Sequence, residues 1–125
     1  MAIQFFFADK KITLTERTRL KAFIEKLFKH EKKQLLSLTY VFCSDDYLLT
    51  INQQFLKHDY YTDIITFDLS ATKGEIEGEL YISVDRVRDN AAIAHVTVKE
   101  ELHRVIFHVK KMRSAEERYL TSYFN

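Results

Sequence analysis

Apolar residues recur along this chain in two rhythms: short runs of strand length and longer stripes at helical spacing. Ile3 to Phe7 is a run of the first kind. Leu20, Phe23, Ile24, Leu27 and Phe28 then follow at helical spacing. Upstream, Thr13 and Glu16 have the form of a capping box, in which each side chain satisfies a backbone N–H at a helix start. Leu38 to Phe42 is rich in β-branched and aromatic residues and reads as a strand. Ser44 or Asp45 caps a short helix carrying Leu48, Ile51 and Phe55 on one face. Leu56 to Thr62 is a polar segment that reads as a loop.

Ile64 to Leu69 and Glu79 to Ile82 read as two further strands. The polar connection between them contains Gly74 and Gly78, as an antiparallel hairpin allows. Val84, Val87, Ala91 and Ala94 predict a helix capped by Ser83. Thr97 and Glu100 form a second capping box. Val98, Leu102, Val105, Val109 and Met112 follow at alternating four- and three-residue steps, with Ile106 widening the stripe. Ser114 and Glu117 form a third box, opening a last helix with Leu120 and Tyr123 inward. The pattern predicts an α+β fold in which a small mixed four-stranded sheet is packed with about five helices.

Composition narrows the class without naming a chemistry. The 125 residues fit a single domain, 1–125, with no linker, low-complexity segment or repeat to divide it. The chain is 46% hydrophobic, with 10 phenylalanines and 7 tyrosines, enough to bury a core. Its apolar runs are short and interrupted by charge, so no membrane span is expected. The N-terminus lacks the pattern of a secretory signal. A single cysteine, Cys43, excludes an internal disulfide and a multi-cysteine zinc site; it ends an apolar run and reads as a packing residue. These features favour a cytoplasmic protein. The net charge of +1 gives weak support to a nucleic-acid partner, but basic residues cluster at Lys29 to Lys33 and at Lys110, Lys111 and Arg113. A local patch can hold phosphate without a basic average, although solvated helix ends have the same composition.

Among the five histidines, His108 lies at the edge of the apolar stripe of the best-defined helix, beside Glu101 and Arg104, while His103 points to the opposite edge. A histidine there is a metal ligand, a general base or a half-buried polar residue. Four residues on stands Met112 and four residues earlier Arg104, neither of which can complete a helical metal pair. No Glu follows His108, which counts against a zincin-type protease, and there is no phosphate-binding Gly-rich loop or G-x-S-x-G elbow. The loop Lys57 to Asp63 is the other concentration of functional groups. Thr62 and Asp63 either cap its backbone, or Asp63 and Lys57 line a substrate groove.

Three ordered segments together resemble the YbeY family of rRNA-maturation endoribonucleases. Leu49 to Phe55 with Asp59 to Phe67 resembles the family's "LN…D…TDVLSF" segment. Gly78 to Ser83 resembles its "GDIxIS" strand, and Glu100 to His108 resembles the helix leading into its metal motif. The resemblance covers nearly the whole chain. It implies a metal-dependent endoribonuclease that cleaves single-stranded rRNA, holds one ion, commonly zinc, and works with the ribosome or ribosomal proteins. His108 matches the first ligand of the motif H-G-x-L-H-x-x-G-Y. The sequence then reads Val109-Lys110-Lys111-Met112, so the two further ligands have no counterpart. The family's arginine in "YRGKD" corresponds to Leu56, and Lys57 is the nearest cation. By the same resemblance Lys57, Arg104, Lys110 and Lys111 are candidates to hold the RNA backbone, and Tyr60 and Tyr61 to stack on unpaired bases, although a core role suits the tyrosines equally. A metal-free RNA- or ribosome-binding module of the same fold is the alternative, and a metal hydrolase of another substrate, such as a peptide, is the third.

The helix from Thr97 has no Gly, Asn or Pro to stop it before Ser114, where a fresh start is written. A helix without an end beside a helix with a beginning points to a missing segment between His108 and Ser114, on the order of ~15 residues, well above an ordinary connection. If the intact gene product carries the segment, it weighs more than the 14.9 kDa of these 125 residues, whereas a true deletion leaves that mass unchanged. A measured mass of 14.9 kDa contradicts the missing segment.

Overall fold

The computed structural model describes residues 2–107. Its elements run β1 (Ile3–Phe7), α1 (Arg17–His30), β2 (Gln34–Cys43), α2 (Asp45–Ile51), a π-helical turn (Asn52–Leu56), β3 (Ile64–Asp68), β4 (Glu75–Ser83), α3 (Val84–Ala94) and α4 (Val98–Ile106). The strands form one mixed sheet in the order β1-β2-β4-β3. β1 and β4 flank β2 in parallel, and β3 pairs antiparallel with β4 as a hairpin. Parallel neighbours need a crossover, and α1 supplies the one from β1 to β2.

Side-chain alternation assigns the two faces. On β2, Leu38, Tyr40 and Phe42 point to one side, and on β4, Ile76, Leu80 and Ile82 do the same. Against them lie Leu20, Ile24 and Phe28 of α1, Val84 and Val87 of α3, and Leu102, Val105 and Ile106 of α4. The Tyr40 hydroxyl reaches through this core to donate to the Ile106 carbonyl at 3.0 Å, which satisfies both groups and pins the end of α4 to the middle of the sheet. Burial pushes the Tyr40 pKa well up. On the other face, Leu48 and Ile51 of α2 cover Cys43 and Ile65. Cys43 is the packing residue expected: its thiol donates to the Ile82 carbonyl at 3.5 Å, and burial, with nearby carboxylates, raises its pKa to about 12.

The α+β class and the mixed four-stranded sheet hold, with corrections to the elements. The β2 strand begins at Gln34 rather than Leu38, and β4 spans Glu75–Ser83 rather than Glu79–Ile82, because parallel pairing of the two extends both toward their N-terminal ends. The β3 strand stops at Asp68 rather than Leu69. Gly78 is a buried residue of β4, and only Gly74, at φ 94°, serves the hairpin connection. Four α-helices lie among the described residues; the last predicted helix, from Ser114, falls outside them.

The Thr13–Glu16 box does not form. Ile12 and Leu14 are buried, so this stretch crosses the core before the helix begins at Arg17, and Glu16 takes a left-handed φ of 53° without capping it. Phe55 leaves the Leu48–Ile51 face because the π turn changes the rotation per residue; it is 66% exposed. Three of the other expected caps lie among the described residues and form; the Ser114–Glu117 box falls outside them. Ser44, Ser83 and Thr97 accept from the N–H of Tyr47, Arg86 and Glu100 at 3.1, 3.1 and 3.0 Å. Ser83→Ala is expected to cost about 1–2 kcal/mol, read as a lower urea midpoint at unchanged slope; a shift within error contradicts the role given to this cap.

Candidate functional site

The strongest concentration of polar side chains sits where β1, β2 and β4 end together. Parallel pairing puts Cys43 opposite Ser83, so the helix starts that follow them, at Ser44 and Ser83, lie side by side. The residues after each start then brace one another. Asp45 accepts from Ser83 Oγ at 3.2 Å and from Arg86 Nε at 3.0 Å, while its own N–H donates to Asp85 at 2.8 Å. Asp9, just beyond β1, accepts from the Ser44 N–H at 2.7 Å and from its hydroxyl at 2.5 Å. Lys10 pairs with Asp85 at 3.3 Å. These carboxylates are committed to fixed donors, so they position backbone rather than offer free bases.

That brace carries the loop after the π turn. Arg86 lies over the Tyr61 ring at 5.1 Å, and the Tyr61 hydroxyl donates to Asp46 at 3.3 Å. Asn52, buried in the π turn, donates from Nδ2 to the Tyr60 carbonyl at 2.8 Å. Tyr60 stacks on His58 with ring centroids 5.1 Å apart. Lys57 turns the chain at a left-handed φ of 56°, and its side chain is exposed. Leu56, at the position of the family's arginine, packs against the Cys43–Ile65 cluster instead of presenting a charge.

The loop ends against α4. The Asp63 carbonyl accepts from the Ser83 N–H at 2.9 Å, and its carboxylate lies 3.7 Å from Arg104. Arg104 also makes a two-pronged bond to Glu101, at 2.9 and 2.7 Å. Glu101 is only 5% exposed, so Arg104 supplies the cation that its burial demands. The Glu101 bond, with Asp63 adding to it, raises the Arg104 pKa above the ordinary arginine value. The Asp63 backbone thus closes the loop, as one of its two expected uses has it, and its carboxylate faces α4 through Arg104.

The structure brings together Asp63 and Arg104, and sets Tyr61 against Asp46 and Arg86 and Tyr60 against His58. It leaves Lys57 at the outer turn and Leu56 in the apolar cluster. His108, Lys110 and Lys111 lie outside the described residues. Among the described residues, no group of three His, Cys, Asp or Glu side chains could hold a metal ion. The sequence reading missed the burial of Glu101. Its signal was the Glu101–Arg104 spacing of one helical turn, which makes an ion pair at any exposure.

The architecture and this site define an α+β domain with an open mixed sheet, whose last described helix is clamped to a polar loop. A solution structure of a Thermotoga maritima protein shares the fold, with TM-score 0.62 and 27% identity over 85% of this chain and 67% of that one. The family model of endoribonuclease YbeY matches residues 4–110, and the chain belongs to that family. A protein from Cytophaga hutchinsonii named endoribonuclease YbeY is 54% identical over 106 residues, covering 85% of this chain and 74% of its own. One of the same name from Parabacteroides distasonis is 42% identical over 109 residues, covering 86% and 75%.

Two outcomes follow from the bracing. Arg104→Leu strands the Glu101 carboxylate and is expected to cost about 1–3 kcal/mol, reduced from a fully buried pair because the guanidinium is half exposed. Glu101→Leu added to it should recover most of the loss in urea unfolding; additive losses contradict the pairing. The second concerns acid. The Asp45 N–H, opposed by partial burial and helped by Lys10, holds the Asp85 carboxyl below the ordinary carboxylate value. The folded state then binds this proton less readily than the unfolded chain. Its contribution is present above the unfolded pKa and is lost as pH falls through the depressed folded value. Asp85→Asn should flatten the decline of stability below about pH 4, and parallel acid curves contradict this.

Proposed function

We propose that this chain is an endoribonuclease that cleaves single-stranded rRNA in ribosome maturation, in the cytoplasm, with the ribosome or its proteins as partners. Family membership over residues 4–110 carries the reading. The names of the Cytophaga and Parabacteroides relatives support it. No helix among the described residues is long and apolar enough to cross a membrane, which agrees with a ribosomal workplace.

Zinc is the ion that the resemblance implies, with His108 as one ligand. The described residues do not fit it, since no three of their donor side chains converge. No chemical step is therefore assigned to the ion. What the chain's own residues supply is binding and positioning. Arg104, shared with Glu101 and Asp63, and Lys57, Lys110 and Lys111 are candidate backbone contacts by the resemblance. Tyr60 and Tyr61, each 46% exposed, present ring surface suited to stacking on unpaired bases. The segment proposed to be missing between His108 and Ser114 is where the family's further ligands belong, and the family match stops at residue 110.

The test is cleavage of a single-stranded rRNA fragment before and after chelation. Internal cuts that disappear with chelator and return with zinc are expected. Equal cleavage in both conditions contradicts the metal requirement. Stoichiometric RNA binding without cuts or bound zinc favours the metal-free binding module.

A further inference from the structure

Away from the loop 57–63, a groove of about 330 Å³ runs between α1 and α4. Its apolar surface is aromatic. Phe23 is 47% exposed on α1, and its ring lies 5.1 Å from that of Phe107 at the end of α4. His103 stands edge-on to Phe107 at 5.8 Å. The His103 Nδ1–H donates to the Lys99 carbonyl at 2.7 Å, which fixes the tautomer and leaves Nε2 as the ring's remaining polar atom. The rim is cationic: Arg19 and Lys99 line it, and Lys26 continues the exposed α1 stripe that Arg19 and Phe23 begin. The one carboxylate among the described residues that line the groove, Glu16, faces Arg19 across 3.6 Å in an exposed pair, a contact weak enough for a phosphate to replace.

Exposed rings flanked by cations suit an unpaired nucleotide, because any base can stack and the flanking phosphates need positive charge. The apolar groove on the opposite side of the sheet makes the contrast. Phe55, Phe67, Leu69 and Tyr81 line about 180 Å³ there, but the charge among them is the Glu79 carboxylate, which repels phosphate. We propose that the α1–α4 groove is a subsite for single-stranded RNA, with one base stacked on the exposed Phe23 ring, the Phe107 ring, tilted by 51°, closing the groove beside it, and adjoining phosphates held by Arg19 and Lys99. The proposal rests on the RNA-directed reading above and adds where a part of the strand binds.

Fluorescence anisotropy with a labelled 2′-O-methyl oligoadenylate, which keeps bases and phosphates but resists cleavage, tests it. Phe23→Leu keeps an apolar side chain and removes the ring. It should weaken binding about tenfold, while leaving affinity for an abasic oligomer of equal length unchanged. Arg19→Gln with Lys99→Gln should lower the slope of log affinity against log salt by about 1.4, roughly 0.7 for each phosphate contact. Circular dichroism and thermal melting check that each variant folds. If Phe23→Leu does not fold, the charge variant decides alone. Wild-type binding that neither variant alters overturns the subsite and leaves the RNA-directed reading standing. Equal losses for the abasic and the base-bearing oligomer also overturn it, because Phe23 then serves packing. A wild-type chain that binds neither oligomer removes the RNA-directed reading, and the subsite with it.

Discussion

The parallel pairing of β2 with β4 is the constraint on which the rest of the molecule depends. It sets Cys43 beside Ser83 and so places two helix starts next to each other at the C-terminal ends of the two inner strands. Two starts in one place offer unsatisfied N–H groups to the same few carboxylates. Asp45, Asp85 and Arg86 answer with a set of cross-bonds in which each side chain fixes an element other than its own. The loop is then held from three directions: Arg86 over Tyr61, Asn52 under Tyr60, and the Ser83 N–H on Asp63. Because Asp63 also faces Arg104, the position of α4 is tied to the same end of the sheet.

Much of this was legible in the sequence where one local rule had no competitor. Ser44, Ser83 and Thr97 cap as their spacing says, because the backbone before each is extended and the helix after each buries one face. Local rules failed where tertiary burial outbid them. Thr13 and Glu16 have the right residues for a box, but Ile12 and Leu14 are worth more in the core than a cap is at the surface. Phe55 fits a periodicity of 3.6 that the π turn breaks, and the gain is a buried Asn52 able to hold the loop. Gln34 to Ser37 fall before the strand written at Leu38 and join it only because β4 pairs with them.

The site was legible unevenly for the same reason. The loop 57–63 and the helix ending at His108 stood out as separate concentrations of polar groups, and the resemblance joined them. That Arg104 bridges them, with Glu101 buried beneath it, needed the sheet to set the distance. Phe23 read as a core residue because its spacing on α1 is within the apolar stripe. Only the placement of Phe107 and Lys99 beside it shows an aromatic floor with a cationic rim. Charge averaged over the chain, at +1, concealed that asymmetry between the helical side and the Glu79 side of the sheet.

On the proposed subsite, RNA lies on the side of the sheet covered by α1 and α4, with the loop braced against Arg104 as the other candidate contact. The most direct measurement is where RNA touches the protein. Single-stranded RNA carrying 4-thiouridine, photocrosslinked to the full chain and mapped by mass spectrometry, should mark peptides within 15–26, 57–63 and 99–107. Crosslinks confined to the opposite face, around Phe55, Leu69 and Tyr81, contradict it.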